Sequence, residues 1–275
     1  MWSVIIPVAL TLLTWWSATG LILWLNRLDR RSFPVSLAGA SGLLVAGLVG
    51  LQLTATDGSV AGSYLAFLSA ILVWAWLEMT FLMGFITGPQ RDPLPAGLGP
   101  RDRFQQAVRT IIWHELAILV LGLFVAALTM PAQNPFGLLT FLVLWVMRLS
   151  AKLNLFLGVP NVGEQYLPSH LAYLGSYFRR RPMNMLFPLS VAAGGWLAFE
   201  LARRARAADG AGEEVGYTIV ATLTALAVLE HGFMVLPLQS DRLWRWSLAV
   251  RQREAWRGTP APAPDTAHRC REDVA

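Results

Sequence analysis

The stretch FGLLTFLVLWVMRLSAKLNLFLGV, residues 136–159, is long and apolar enough to cross a bilayer, yet it carries Arg148 and Lys152 in its interior. A helical span needs about 20 apolar residues to cross roughly 30 Å of hydrocarbon. A cation at the centre of such a span costs about 3 kcal/mol or more, so intramembrane charges face other helices, pair with opposite charges and mark function. Arg148 and Lys152 stand four residues apart and share one helix face. What that face pairs with decides how the rest of the chain is arranged.

Working outward, hydrophobic residues make up 55% of the chain and charged ones only 14%, with 12 tryptophans and a mean hydropathy of +0.49. That composition excludes a soluble domain of this length and indicates an all-α, polytopic membrane helix bundle. Seven stretches have the length and apolarity of spans: residues 2–26, 34–54, 60–88, 110–129, 136–159, 184–202 and 215–238. They form a single bundle over residues 1–257, followed by a Pro/Ala-rich tail, 258–275, expected to be disordered and cytoplasmic. The first span lacks a basic n-region and outruns a signal-peptide core, so it is expected to stay as an anchor. Gly42, Ala46 and Gly50, and Ser190, Gly194 and Ala198, recur at four-residue spacing and read as close-packing helix faces. The absence of an internal repeat removes support for an inverted-repeat transporter.

Short basic loops stay in the cytoplasm. Arg27, Arg30 and Arg31, then Arg91, Arg101 and Arg103, then Arg179, Arg180 and Arg181 fall in alternate connections, whereas 54–59 and 130–135 contain no basic residue. The N-terminus is therefore expected outside and the C-terminal region, with Arg242, Arg245, Arg251, Arg253 and Arg257, in the cytoplasm. Arg203, Arg204 and Arg206 dissent, falling after the sixth span on the outer side near Asp209, Glu213 and Glu214. The pI near 10 reflects loop arginines at membrane level, whose counter-charge is anionic lipid rather than nucleic acid. The only cysteine, Cys270, excludes an intrachain disulfide and any cysteine-based metal site.

Two cytoplasmic segments read as interfacial amphipathic helices, because aromatic and basic residues at a span end mark the headgroup layer. Residues 167–178 open at Pro168 and space Leu171, Leu174 and Phe178 helically, with His170, Tyr173 and Tyr177 alongside. In residues 241–253, Trp244, Trp246 and Leu248 alternate with Arg242, Arg245 and Arg251.

At about 1.5 Å per residue, Glu78 and Arg148 fall near the midplane, Lys152 and Glu230 roughly 10 to 12 Å from the cytoplasmic boundary, and His114, Glu115 and His231 beyond them. One inward-facing cluster is the economical arrangement. Its plainest role is interhelical ion pairing, three carboxylates against two cations. A metal site is the sharper reading, since carboxylates and imidazoles suit iron, zinc or manganese. Against it, His114–Glu115 and Glu230–His231 are adjacent pairs pointing about 100° apart, and the Glu-x-x-His spacing of di-iron bundles is missing. Axial ligation of a macrocycle by His114 or His231 and proton relay are the other two chemistries open to these residues. Phosphate loops, nucleophile elbows and zinc-protease motifs are absent.

The stretches HELAILVLG from His114, TFLVLWVMRLSAKLNLFLGVPN from Thr140, LPSHLAYLGSYFRRRPMN from Leu167 and FPLSV from Phe187, with LEMTFLMGFITGP and LEHGFMVLPL in support, resemble the photosynthetic complex assembly protein 2 family, the PuhE-type proteins of purple and related phototrophic bacteria. The resemblance implies an inner or intracytoplasmic membrane protein made alongside reaction-centre components. Such a protein helps photosynthetic complexes assemble or adjusts their bacteriochlorophyll supply, with complex subunits or pigment-synthesis proteins as partners. It supplies no catalytic residues. Under it, the polar cluster would hold bacteriochlorophyll or a precursor, with Arg148 and Lys152 on its oxygens and a histidine on its magnesium. The competing assembly reading makes the cluster a structural lock and places function on Tyr166, His170, Tyr173, Tyr177, Arg179, Arg180 and Arg181. A metal- or cofactor-dependent membrane oxidoreductase acting on a pigment or lipid-like substrate is the enzymatic alternative.

Overall fold

Apolar segments with no water to satisfy their backbone must close their own hydrogen bonds, and a helix does so within one segment. A computed structural model describes residues 2–130, 133–237 and 240–248, and every regular element among them is helical. The long helices are α1 (Trp2–Leu25), α2 (Phe33–Thr54), α3 (Val60–Leu82), α4 (Pro100–Thr129), α5 (Phe136–Leu157), α6 (Leu186–Arg206) and α7 (Ala211–Phe233), with a short α8 (Arg245–Leu248). Short 3-10 segments lie at Arg30–Ser32, Glu164–Tyr166, Ser169–Tyr177 and Ser240–Trp244. The tail at 258–275, Cys270, Arg251, Arg253 and Arg257 lie outside the described residues, as do Leu238 at the end of the seventh expected span and the last residues of the 241–253 segment.

Six of these helices, all except α6, are long and apolar enough to cross a membrane. α6 is 21 residues long, but Glu200, Arg203, Arg204 and Arg206 in its last turns dilute its apolarity. It nevertheless runs antiparallel to α7, with Arg204 beside Tyr217 at one end and Gly194 against Val228 further along. The three arginines expected in a loop are thus the last turn of a helix, where cations meet the negative end of the helix dipole. Glu200 pairs with Arg203 at 2.8 Å and with Arg204 at 3.1 Å.

Helices α3, α5 and α7 form the centre, each packed on the other two. α1 lies on α7 and α3, α2 on α3, α4 on α5 and α2, and α6 on α7. The core is mostly apolar, with buried polar side chains such as Thr140, Asn154, Thr224 and His231 set into it. Phe67, Phe136, Ile219 and Leu223 make one cluster, and Leu51, Trp74, Ile118 and Phe141 another.

The last long helix is shifted toward the N-terminus, Ala211–Phe233 rather than 215–238, and three further differences from expectation have identifiable reasons. α3 ends at Leu82 instead of continuing to 88, because Gly84 takes a positive φ of 82° that turns the chain. The apolar residues that follow are not span but a loop folded onto α4, so close that a Cβ on Gly88 would collide with the carbonyl of Arg109. α4 starts at Pro100, not 110, with proline in the first turn where its missing N–H costs nothing. Finally, Ser169–Tyr177 is a 3-10 segment rather than an amphipathic α-helix, and Leu171 and Leu174 dock it on Phe81.

Of the small-residue faces, Ser190 and Gly194 face the bundle, but on α2 only Gly50 does. The α2 contact runs through Gly47 and Gly50 against Ser69, while Gly42 and Ala46 point outward. Gly212, like Gly88, admits a close backbone approach. A Cβ there would strike the carbonyl of Gly58, and its own carbonyl accepts a 2.7 Å bond from Ser63 Oγ. Backbone cannot give way as a side chain can, so Gly212→Ala should destabilise the detergent-solubilised protein by about 1–3 kcal/mol in thermal unfolding. Gly42→Ala, which meets nothing within 4 Å, should cause no loss. Equal behaviour of the two variants would refute this packing.

Candidate functional site

Helix α5 carries two polar edges. At about 100° per residue, Arg148 and Lys152 lie close together on one side, while Ser150 and Asn154 lie on the opposite side. Each edge has its own partners.

On the ionic edge, Arg148 Nη2 donates to Glu78 Oε2 at 2.8 Å, joining α5 to the last turn of α3. Lys152 Nζ donates to Glu115 Oε1 at 2.6 Å, joining α5 to α4. Glu230 on α7 lies within electrostatic reach of Arg148 and Glu78, but its Oε1 accepts from Trp15 Nε1 of α1 at 2.6 Å. The Lys152 ammonium also stands 5.6 Å from the Phe81 ring centroid. His114 is that ring's other partner, stacked 4.5 Å from Phe81 with 30° between planes. It is fully buried, and neither ring nitrogen has a hydrogen-bond partner.

The opposite edge is neutral. His231 Nδ1 lies 2.8 Å from the Ala227 carbonyl, which can only accept, so Nδ1 carries the proton and Nε2 accepts from Ser150 Oγ at 2.9 Å. Ser190 Oγ lies 2.9 Å from Ser150 Oγ, and Asn154 Nδ2 reaches Ser190 at 3.2 Å. Asn184 completes the chain, donating to Asn154 Oδ1 at 3.0 Å while its own Oδ1 accepts from the N–H groups of Leu186 and Phe187 at the start of α6.

The structure therefore gathers Glu78, His114, Glu115, Arg148, Lys152 and Glu230 into one electrostatic group and sets His231 apart on the far side of α5. Neither imidazole offers a reachable free nitrogen: those of His231 are both bonded, and those of His114 are sealed in. Among the described residues no three His, Cys, Asp or Glu side chains converge as metal ligands. Glu78 also sits higher in its helix than expected, one turn from the end of α3, because that helix stops early.

This geometry belongs to a sequence that matches, over residues 1–255, the family described as protein of unknown function (DUF3623). The chain is a member of the DUF3623 family. It is 44% identical over 247 residues, 86% of this chain and 88% of the relative, to a Rhodobacter capsulatus protein named "Uncharacterized 30.4 kDa protein in puhA 5'region". No solved structure matches it.

In this DUF3623 chain the residues expected at an interface do not form one outward face. Tyr177 is buried, with its hydroxyl donating to the Asp92 carbonyl at 3.0 Å. Tyr173 packs against Phe81 with a buried hydroxyl. Tyr166 lies edge-on to Trp244 at 6.3 Å. Arg180 and Arg181 are exposed, and Arg180 pairs with Glu164 at 3.1 Å. Arg179 is half-buried and held by its backbone, donating to the Leu155 carbonyl and accepting from Val159 N–H. Sequence reasoning missed Arg103, which is buried, donates to the Tyr177 carbonyl at 2.6 Å and stacks on Phe156 at 4.5 Å. It also missed Trp15, Ser150, Asn154, Asn184 and Ser190 as polar partners. The i, i+4 pair Ser150 and Asn154 in an apolar run, and an asparagine just before a helix start, were the available signals.

His170 faces inward too. Its Nε2 donates to the Leu82 carbonyl at 2.8 Å, satisfying one of the free carbonyls at the end of α3, and its ring lies 5.9 Å from Phe33. Burial pulls its pKa below the ordinary 6.5, aided by Arg30 and opposed by the bond to Leu82. A folded-state pKa below the unfolded one means the unfolded state binds more protons, so the burial of this ring contributes fully above pH 6.5 and less as pH falls below it. Hydrogen-exchange protection of residues 169–177 should therefore drop between pH 7.5 and pH 5.5, and His170→Gln should flatten that dependence. An unchanged pH profile in the variant would refute the assignment.

Proposed function

We propose that this DUF3623 protein is a PuhE-type membrane factor that assists assembly of a bacterial photosynthetic complex or the supply of bacteriochlorophyll to it. It sits in the inner or intracytoplasmic membrane with its N-terminus outside and its arginine-rich end in the cytoplasm. The observation that carries this reading is the 44% identical relative named for its place in the puhA 5′ region. The resemblance of residues 110–195 and their flanks to the PuhE-type proteins supports it.

Within this reading the geometry favours an assembly role over pigment holding through histidine. A magnesium needs an accessible imidazole nitrogen, and His114 and His231 provide none. The ion pairs of α5 act as a lock that fixes the helices presenting the arginine-rich end, and subunits of the complex, pigment-synthesis proteins and anionic lipid meet that end. No observation favours the oxidoreductase reading: among the described residues no three His, Cys, Asp or Glu side chains converge.

The test is deletion of the gene in a phototrophic host, followed by absorption spectra of its membranes. Reaction-centre and light-harvesting bands should fall and return with the wild-type gene. Complementation by a gene encoding Arg179, Arg180 and Arg181 all replaced by Gln should restore them only partly, with the variant still folded in the membrane. Unchanged spectra in the deletion strain would overturn the proposal.

A further inference from the structure

Along one line of the bundle, facing α1, burial gives way to accessible polar side chains. Along one face of α7, Ile219, Leu223 and Leu226 are 0%, 3% and 5% exposed, yet Glu230, next on that face, is exposed. On α5, Phe141 is fully buried, while Arg148 two turns on keeps 41% of its side chain accessible. On α1, Thr11 is fully buried and Trp15, one turn on, is only half-buried. The surrounding helices nevertheless desolvate both Arg148 and Glu230, which points to a crevice where α1, α5 and α7 meet.

The crevice has a roof. Trp244 is buried, meets Trp15 edge-on at 5.3 Å and donates from Nε1 to the Trp16 carbonyl at 3.0 Å. Gly20 makes room for the neighbouring Trp246, whose ring a Cβ at that position would strike.

Arg148 and Glu230 are opposite charges in a setting where the interaction is strong, yet they do not pair. Arg148 spends Nη2 on Glu78, and 41% of its side chain stays accessible. Glu230 receives only the indole N–H of Trp15 among the described residues. A group between them must offer an acceptor to Arg148 and a donor to Glu230. The local charge decides which kind. Glu78 and Glu115 already neutralise Arg148 and Lys152, so Glu230 is the charge in excess: it repels a lone anion, whereas a lone cation would leave the accessible Arg148 guanidinium without an acceptor. A zwitterion satisfies both, and an indole wall favours an ammonium.

We propose that this crevice binds the head group of a zwitterionic amphiphile, its ammonium against Glu230 and Trp15 and its acidic oxygen against Arg148. A phosphoethanolamine group has this chemistry, carried by a phospholipid or free in solution.

The test titrates the full-length protein, in a maltoside detergent that has no charge, with dihexanoyl phosphatidylethanolamine, free phosphoethanolamine and dihexanoyl phosphatidylglycerol, using calorimetry. The ethanolamine lipid should bind saturably, and the glycerol lipid, which lacks the ammonium, about tenfold more weakly or worse, the scale of losing a charge-assisted contact. Glu230→Gln should reproduce that loss. It keeps an acceptor for Trp15 and leaves the Arg148–Glu78 pair untouched, so the fold survives and a matching circular dichroism spectrum checks it. Arg148→Gln is the companion variant, expected to weaken both lipids. Equal binding of lipid and free phosphoethanolamine assigns the site to a soluble zwitterion, and binding of the lipid alone assigns it to the membrane; both uphold head-group recognition. Equal binding of the two lipids, insensitive to Glu230→Gln, or no binding at all, would overturn the proposal.

Discussion

Two cations placed four residues apart on an apolar helix have few tolerable environments, and the bundle around α5 is arranged to supply one. Arg148 takes Glu78 from α3, and Lys152 takes Glu115 from α4. Because a buried charge without its partner costs far more than the pair returns, these bonds act chiefly as registry devices. A slide of α3 or α4 by one turn would strand a charge in hydrocarbon, where apolar packing alone would tolerate the slip. The neutral edge does the same on the other side, tying α5 to α7 through His231 and to α6 through Ser190 and Asn184.

Much of this was legible in the sequence because charge in an apolar run is rare and costly. The spans at α1, α2, α5 and α7 and the seven ionisable residues came directly from that contrast. The partner choices did not, since depth along a helix says nothing about rotation around it. Glu230 was as plausible a partner for Arg148 as Glu78, yet its oxygen goes to an indole. His114 was marked as a ligand by residue type, whereas tertiary packing sealed it behind Phe81. The end of α3 was hidden because the loop after it is apolar, and it is apolar because it folds onto α4. The polarity that places α6 outside the apolar spans is confined to its final turns, where the arginines serve the helix end.

The two edges of α5 also divide the labour of the molecule. The neutral edge is fully hydrogen-bonded and leaves nothing for a ligand. The ionic edge is incomplete at Arg148 and Glu230, which keep accessible surface beside the indole of Trp15. The 3-10 segment at Ser169–Tyr177, tied by His170 to α3 and by Arg103 to α4, closes the neighbouring part of the same end. One end of the bundle thus carries the basic loops, the indole roof and the crevice, and the other carries short connections.

The registry role of the ionic edge is tested most directly by a double-mutant cycle of Glu78→Gln and Arg148→Met, with unfolding free energies measured in one detergent. A coupling of about 0.5–3 kcal/mol is expected, the range for residues in direct contact, with Arg148→Met costing less once Glu78 is already neutral. Losses that add to within about 0.5 kcal/mol, as for independent sites, would contradict it.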